Sequence, residues 1–150
     1  MAIVDCDVHQ GNGTASIFAG DDSVFTFSIH GARNFPFRKE ASDLDIELPD
    51  GTRDEEYLWH LERGLDETLE RSRPQLAFYL AGADPYEDDR LGRLKLTKEG
   101  LARRDEWVLR TLRSRGIPVA IAMAGGYARD IEDSVEIHAN TLVAARRLES

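Results

Sequence analysis

Thiols are nearly absent from this 150-residue chain: Cys6 is the one cysteine, so no disulfide can form within it. Long apolar runs are missing too, and none approaches the ~20 residues that spanning a bilayer takes. The first residues lack the basic flank and extended apolar stretch of a secretory leader. Basic residues are outnumbered, 19 Lys and Arg against 28 Asp and Glu, for a net charge of -9. Neutralising phosphates needs a cationic surplus, so nucleic-acid binding is excluded as an expectation. An acidic surface keeps a protein in solution, and its field favours cationic partners such as polyamines or lysine-rich tails. No repeat, linker or low-complexity stretch divides the chain, which is long enough to bury a core as one domain over residues 1–150. A cytoplasmic protein, away from membranes, is the expectation these absences support.

What is present is an alternation of short apolar runs and amphipathic stretches. Ala2 to Asp7, Ser23 to Ile29, Leu44 to Leu48, Leu76 to Ala81 and Pro118 to Met123 read as strands. Thr14 to Phe18 suits a helical turn or two, and His30 to Asp43 a loop around Pro36. Thr52 with Glu55 three residues on has capping-box spacing, and Leu58, Leu61, Leu65 and Leu69 form one stripe before Pro74 ends the helix. Thr97 caps a second long helix carrying Leu101, Val108 and Leu112 that finishes near Gly116. A last helix from Asp130 is expected to turn Ile131, Val135, Leu142 and Val143 inward. Strands alternating with such helices predict an α/β fold built on a mainly parallel sheet.

Three of those strands run into polar segments: Asp7-Val8-His9, Gly82-Ala83-Asp84 and Gly125-Gly126-Tyr127. In an open parallel sheet, ligands bind beyond the carboxyl ends of the strands, so the three segments are expected to converge. Asp7 and His9 stand two apart and would face the same way on an extended strand. With Asp84 they make a carboxylate, imidazole and carboxylate set that suits Zn²⁺ and leaves a position for water or substrate. Alone, Asp-x-His better describes a hydrogen-bonded loop pair, Asp84 a turn residue before Pro85, and Tyr127 a packing residue.

Longer stretches are more specific. Val4-Asp5-Cys6-Asp7-Val8-His9-Gln10-Gly11-Asn12-Gly13-Thr14 resembles the Asp-x-Asp-x-His-x-Gly-(Asn/Asp)-Gly segment of the histone deacetylase superfamily. Gly82-Ala83-Asp84-Pro85-Tyr86-Glu87-Asp88-Asp89-Arg90-Leu91-Gly92 is similar to its Gly-Ala-Asp-x4-Asp-x-Leu-Gly segment, and Gly125-Gly126-Tyr127 to the glycine turn before its active-site tyrosine. Gln10 after His9 is most like the class IV branch and its bacterial amidohydrolase relatives.

The resemblance implies a three-layer arginase/deacetylase-like fold and a zinc-dependent hydrolase acting on acetyl-lysine or acetylpolyamines. It implies zinc on Asp7, His9 and Asp84, and a Tyr127 hydroxyl that donates to the substrate carbonyl as it becomes an oxyanion. Gly125 and Gly126 would lie against the substrate, where a close backbone approach tolerates no Cβ. Asp5 and Asn12 match positions that orient the histidines of a catalytic dyad. Asp5, Asp7, His9, Ser28 and Ile29 match an inner K⁺ site, and Phe18, Asp21 and Val24 an outer one; Ser28 and Phe18 equally suit strand and packing residues. His30, His60 and His138 receive no role.

The family's His-His dyad precedes its Asp-x-Asp-x-His strand, and this chain starts four residues before Asp5. The chain is therefore expected to be the C-terminal part of a catalytic domain, with an exposed sheet edge prone to self-association. Two rival readings remain. Binuclear-manganese ureohydrolases need an aspartate where Gly11 stands and a second where Tyr86 stands. A degenerate remnant or interaction module would not need the ligands and Tyr127 to be retained.

Overall fold

The computed structural model describes residues 1–149. Five strands pair in parallel as one sheet: β1 (Ala2–Asp5), β2 (Phe25–Gly31), β3 (Leu44–Leu48), β4 (Ala77–Ala81) and β5 (Val119–Met123). Their order is β3-β2-β1-β4-β5. The chain steps outward from β1 to β3, then returns to the other flank of β1 to lay down β4 and β5. Strand order thus reverses between β1 and β4, which opens the crevice where such sheets bind ligands.

Four helices join the strands: α1 (Asn12–Ile17), α2 (Asp54–Ser72), α3 (Lys98–Ser114) and α4 (Ile131–Glu149). The α2 crossover packs on β1, β2, β3 and α3, and α4 packs on α3. Tyr57, Leu61, Leu65 and Leu69 of α2 and Leu101, Val108 and Leu112 of α3 share a core with Val4, Phe27, Ile29 and Tyr79 of the sheet. Thr97 caps α3 as its position predicts, its side chain accepting from the Gly100 N–H at 3.0 Å. Gly116, at a φ of +69°, takes the left-handed turn that ends the α3 segment. No helix among the described residues is long and apolar enough to cross a membrane.

Several expectations need correction. Thr52 does not cap α2: Arg53 is the N-cap residue and no side chain bonds into the first turn. Thr52 is buried and its main chain is engaged elsewhere, accepting from Lys95 N at 2.9 Å and donating to Pro49 O at 3.2 Å. Leu58 is only half-buried, and Tyr57 takes the inward position beside Leu61. β2 begins at Phe25 and runs on to Gly31, so His30 belongs to a strand and not to a loop. α4 forms as expected but turned about its axis: Ile131, Val135, Leu142 and Val143 are exposed, whereas Ser134, Ile137 and Thr141 are buried. The inward stripe is partly polar because the Thr141 hydroxyl donates to the buried Asp105, and apolar periodicity cannot register such a face.

β1 is buried along its whole length. β5, the opposite extreme, is a sheet edge: Ala120, Ala122 and Met123 are exposed on it, as is Phe78 on β4. Together with Ile131, Val135 and Leu142 they leave apolar surface open on this flank.

Candidate metal centre

Both walls of the β1/β4 crevice end in acid. The last ladder bond of β1 to β4 runs from Cys6 N to Leu80 O at 3.0 Å, and beyond it each strand tip turns into the crevice. Asp7 and His9 follow β1; Asp84 follows β4. A carboxylate oxygen from each aspartate and a ring nitrogen of His9 all lie within 4.8 Å of one another. His9 Nδ1 stands 3.0 Å from Asp7 Oδ1 and 3.2 Å from Asp84 Oδ2.

The remaining lone pairs are organised by main chain. Asp7 Oδ1 accepts from His9 N at 2.9 Å and Asp7 Oδ2 from Gly125 N at 2.7 Å. Asp84 Oδ1 accepts from Val8 N at 2.9 Å, so the carboxylate after β4 buttresses the residue between Asp7 and His9. Asp84 is fully buried, yet its Oδ2 has no hydrogen-bond partner of good geometry. A buried carboxylate oxygen left without a donor is costly unless a cation completes it.

Glycines make room for this. A Cβ on Gly125 would stand 2.0 Å from Asp84 Oδ2, and one on Gly82 would stand 2.7 Å from Asp7 Cα. Gly126 is less constrained, its nearest neighbour being Ala83 Cβ at 3.1 Å. The donor set and the Cβ-free cradle fit a single divalent ion of the kind that takes carboxylate and imidazole ligands.

The three side chains also shift one another's protonation. Burial pushes the Asp84 carboxyl up to about 6, against the lowering effect of His9. Burial also raises Asp7, but hydrogen bonds from the His9 ring, His9 N–H and Gly125 N–H outweigh it, leaving Asp7 below the ordinary carboxylate value. The two aspartates raise His9 to about 10, Asp7 contributing most. Asp5, just below them, is pushed up to about 7 by burial with help from the Asp7 and Asp84 charges.

The other expected residues are placed as follows. Asp5 is buried, its Oδ1 accepting from Asp7 N at 3.0 Å and its Oδ2 lying where a Cβ on Gly11 would be 2.4 Å away. Ser28 pairs in register with Asp5; its Oγ lies 2.9 Å from His30 Nδ1 and, at 3.4 Å, accepts from Gly11 N. Ile29 is buried in the core. Phe18, Asp21 and Val24 lie along one turn in which Asp21 N donates to Phe18 O and Val24 N to Asp21 O, at 3.0 and 3.1 Å. Asn12 opens α1, and among the described residues no hydrogen bond joins its side chain to the ligands. Tyr127 is half-exposed, its side chain free at the rim.

Two contributors received no role from the sequence. Asp89 sets the Tyr127 loop: its Oδ2 accepts from Tyr127 N at 2.6 Å, and its Oδ1 from Leu91 N and Gly92 N at 2.7 and 2.8 Å. Its fixed place in the Gly-Ala-Asp-x4-Asp segment was the available signal. Gln10 ties the site to the 32–43 loop, donating to Glu40 O at 2.7 Å and Asp45 Oδ1 at 3.0 Å while accepting from Glu40 N at 2.9 Å. No spacing in the sequence signals that link, since both partners lie 30 or more residues away.

Comparison with known proteins bears on this geometry. The family model described as the histone deacetylase domain matches residues 1–142. An uncharacterized protein of Picosynechococcus sp. is 50% identical over 146 residues, covering 97% of this chain and 49% of that protein. Histone deacetylase 2 of Arabidopsis thaliana is 36% identical over 143 residues, covering 91% of this chain and 37% of its own length. The chain therefore spans about half, or less, of these relatives. Among solved structures, an acetylpolyamine aminohydrolase from Burkholderia pseudomallei superposes with a TM-score of 0.79 at 25% identity, over 96% of this chain and 44% of that one. A histone deacetylase homologue from Aquifex aeolicus shares the fold with a TM-score of 0.78 at 23% identity, over 97% and 40% of the two chains. With most of its length matched by the family model, and its sheet and strand-tip motifs in the family's order, the chain belongs to the histone deacetylase family.

Proposed function

We propose that this chain supplies the zinc-binding half of a deacetylase active centre that hydrolyses the amide of an acetylated amine, either acetyl-lysine or an acetylpolyamine. One observation carries the reading: Asp7, His9 and Asp84 present ligand atoms within 4.8 Å of one another, with Asp84 Oδ2 buried and short of a donor. Bound there, zinc supplies a Lewis acid for the acetyl carbonyl and lowers the pKa of water. Two carboxylates nearly cancel the ion's charge, which makes a separate proton acceptor for that water more necessary.

The chain's own residues divide the remaining work. The Tyr127 hydroxyl donates to the carbonyl oxygen as negative charge develops on it, from a loop whose main chain Asp89 holds at Tyr127 N. Gly125 and Gly126 line the approach, their missing side chains admitting the acyl group. Asp5 and Asn12 orient the histidine pair that takes the water's proton and returns it to the departing amine. None of the chain's four histidines is placed for that proton transfer, since His9 is a ligand, His30 is buried against Ser28, and His60 and His138 sit on α2 and α4. Asp5, Asp7, His9, Ser28 and Ile29 form an inner K⁺ site on this reading, with Phe18, Asp21 and Val24 at an outer one. The acidic surface suits cationic, non-nucleic-acid substrates and a cytoplasmic setting, and the open β5 flank favours a homo-oligomer.

Elemental analysis after dialysis against zinc tests the reading. One ion per chain, lost in Asp84→Asn, is expected. No zinc in either protein overturns the reading, and two ions per chain would favour a binuclear ureohydrolase instead. A chain that holds zinc but stays inactive when joined to a dyad-bearing N-terminal half would be a remnant or interaction module.

A further inference from the structure

Behind the ligands lies a charge that the reaction does not use. Arg104, on α3, is completely buried. Its Nε donates to Asp105 Oδ1 at 2.8 Å, and its Nη2 stands 2.8 Å from the same oxygen. Asp105 is held in turn by Tyr79 on β4, whose hydroxyl donates to Oδ1 at 2.5 Å, and by Thr141 on α4, whose hydroxyl donates to Oδ2 at 2.5 Å. The guanidinium is thus fixed in orientation by a strand and two helices.

Its free end points at the strand tips. Arg104 Nη1 donates to Gly82 O at 2.6 Å and to Cys6 O at 3.3 Å. Cys6 immediately precedes Asp7, and Gly82 stands two residues before Asp84. β1 and β4 make their last ladder bond at Cys6 N, so beyond it the strands no longer satisfy each other's carbonyls. Arg104 bridges both at the point where the two ligands leave the sheet. A buried ion pair is weak evidence of a stability role, because a well-packed apolar pair of similar volume often serves as well. What an apolar pair cannot do is bond two carbonyls at once.

We propose that Arg104 is a positioning residue for the metal centre, clamping the Cys6 and Gly82 carbonyls so that Asp7 and Asp84 meet at one ion. The proposal rests on the zinc reading of Asp7, His9 and Asp84. It acts through main chain alone, since Arg104 touches neither ligand side chain through any bond described above. It also gives α3 and α4 a route to the site, through Asp105 and Thr141, although neither helix contributes a ligand.

Cobalt titration of the full chain tests this, because Co²⁺ absorbance reports both affinity and coordination geometry. The wild-type chain should bind one Co²⁺, and Asp84→Asn should abolish its visible bands. Arg104→Met, which fills the space without the two donors, should weaken Co²⁺ binding about ten- to a hundred-fold and shift the bands, with helix content retained. Arg104→Lys keeps the charge beside Asp105 and should recover part of the affinity. Leu112→Ala, buried at the far end of the same helix, should lower the melting temperature while leaving cobalt affinity and bands unchanged. Wild-type affinity and spectrum in Arg104→Met overturn the proposal. So does equal weakening by Leu112→Ala, or failure of both Arg104 variants to fold, either of which assigns Arg104 to the core alone. A wild-type chain that takes up no cobalt overturns the zinc reading first, and the clamp falls with it.

Discussion

Gly125 N–H donates to Asp7 Oδ2 at 2.7 Å across 118 residues of sequence, binding the turn after β5 to the tip of β1. The bond forms because nothing but hydrogen occupies the Cα of Gly125 on the side facing Asp84. Gly125→Ala would put a methyl group 2.0 Å from Asp84 Oδ2, with no flexible tail to give way. Such crowding should cost about 1–3 kcal/mol and abolish zinc binding, whereas Gly126→Ala should be tolerated. Thermal melts with and without zinc check the pair, and a Gly125→Ala chain that still gains stability from zinc refutes the expectation.

Asp89 should matter to the Tyr127 loop and not to the ion. Asp89→Ala leaves three main-chain N–H groups, those of Leu91, Gly92 and Tyr127, without their acceptor. A loss of about 1–3 kcal/mol is expected, with faster tryptic cleavage at the exposed Arg90 and Arg129 and unchanged zinc stoichiometry. Mass spectrometry of the digest reads the outcome; unaltered cleavage rates would show that the loop is held by other means.

Cys6 is buried at the root of the site, and burial pushes its thiol up to about 12. A protonated, inaccessible thiol is a poor nucleophile. The native protein should resist iodoacetamide near pH 8 and label fully once urea unfolds it. Prompt labelling of the native chain would mean that the β1 tip opens far more readily than its packing implies.

His138 gives a handle on acid sensitivity. Burial, with the Arg104 charge behind it, holds its imidazole below the ordinary value of 6.5. The folded chain keeps it neutral where the unfolded chain would charge it, so below about pH 6.5 the unfolded state binds more protons. This share of stability is intact above that pH and is lost as pH falls through it. Urea melts should therefore show a shallower decline from about pH 7 to 5 in His138→Gln than in the wild type. Parallel declines would rule the histidine out.

The sheet and the convergence of Asp7, His9 and Asp84 were legible because both rest on local pattern. Apolar runs ending in Asp7, Asp84 and Gly125 mark strands that arrive at polar tips, and parallel pairing brings the tips together. The inward face of α4 was not legible, because Thr141 and Ser134 face the core to meet partners 36 and 6 residues away, Asp105 and Ala128. The capping box failed for a similar reason, Thr52 being held by Lys95 across a loop. Arg104 left a faint trace: it falls on the α3 stripe between Leu101 and Val108, where a charge has no place without a buried counterpart. Which carbonyls it would reach depends on strand divergence, which no spacing encodes.

The order β3-β2-β1-β4-β5 puts the two aspartates on the middle of the sheet, with an outer strand to spare on either side. Transient opening of a protein begins at its margins and reaches the centre last. Fraying of β3 would therefore leave Asp7 and Asp84 in place, whereas fraying of β5 would free Asp7 from Gly125, and amide hydrogens on β1 and β4 should be the slowest among the strands to exchange with solvent.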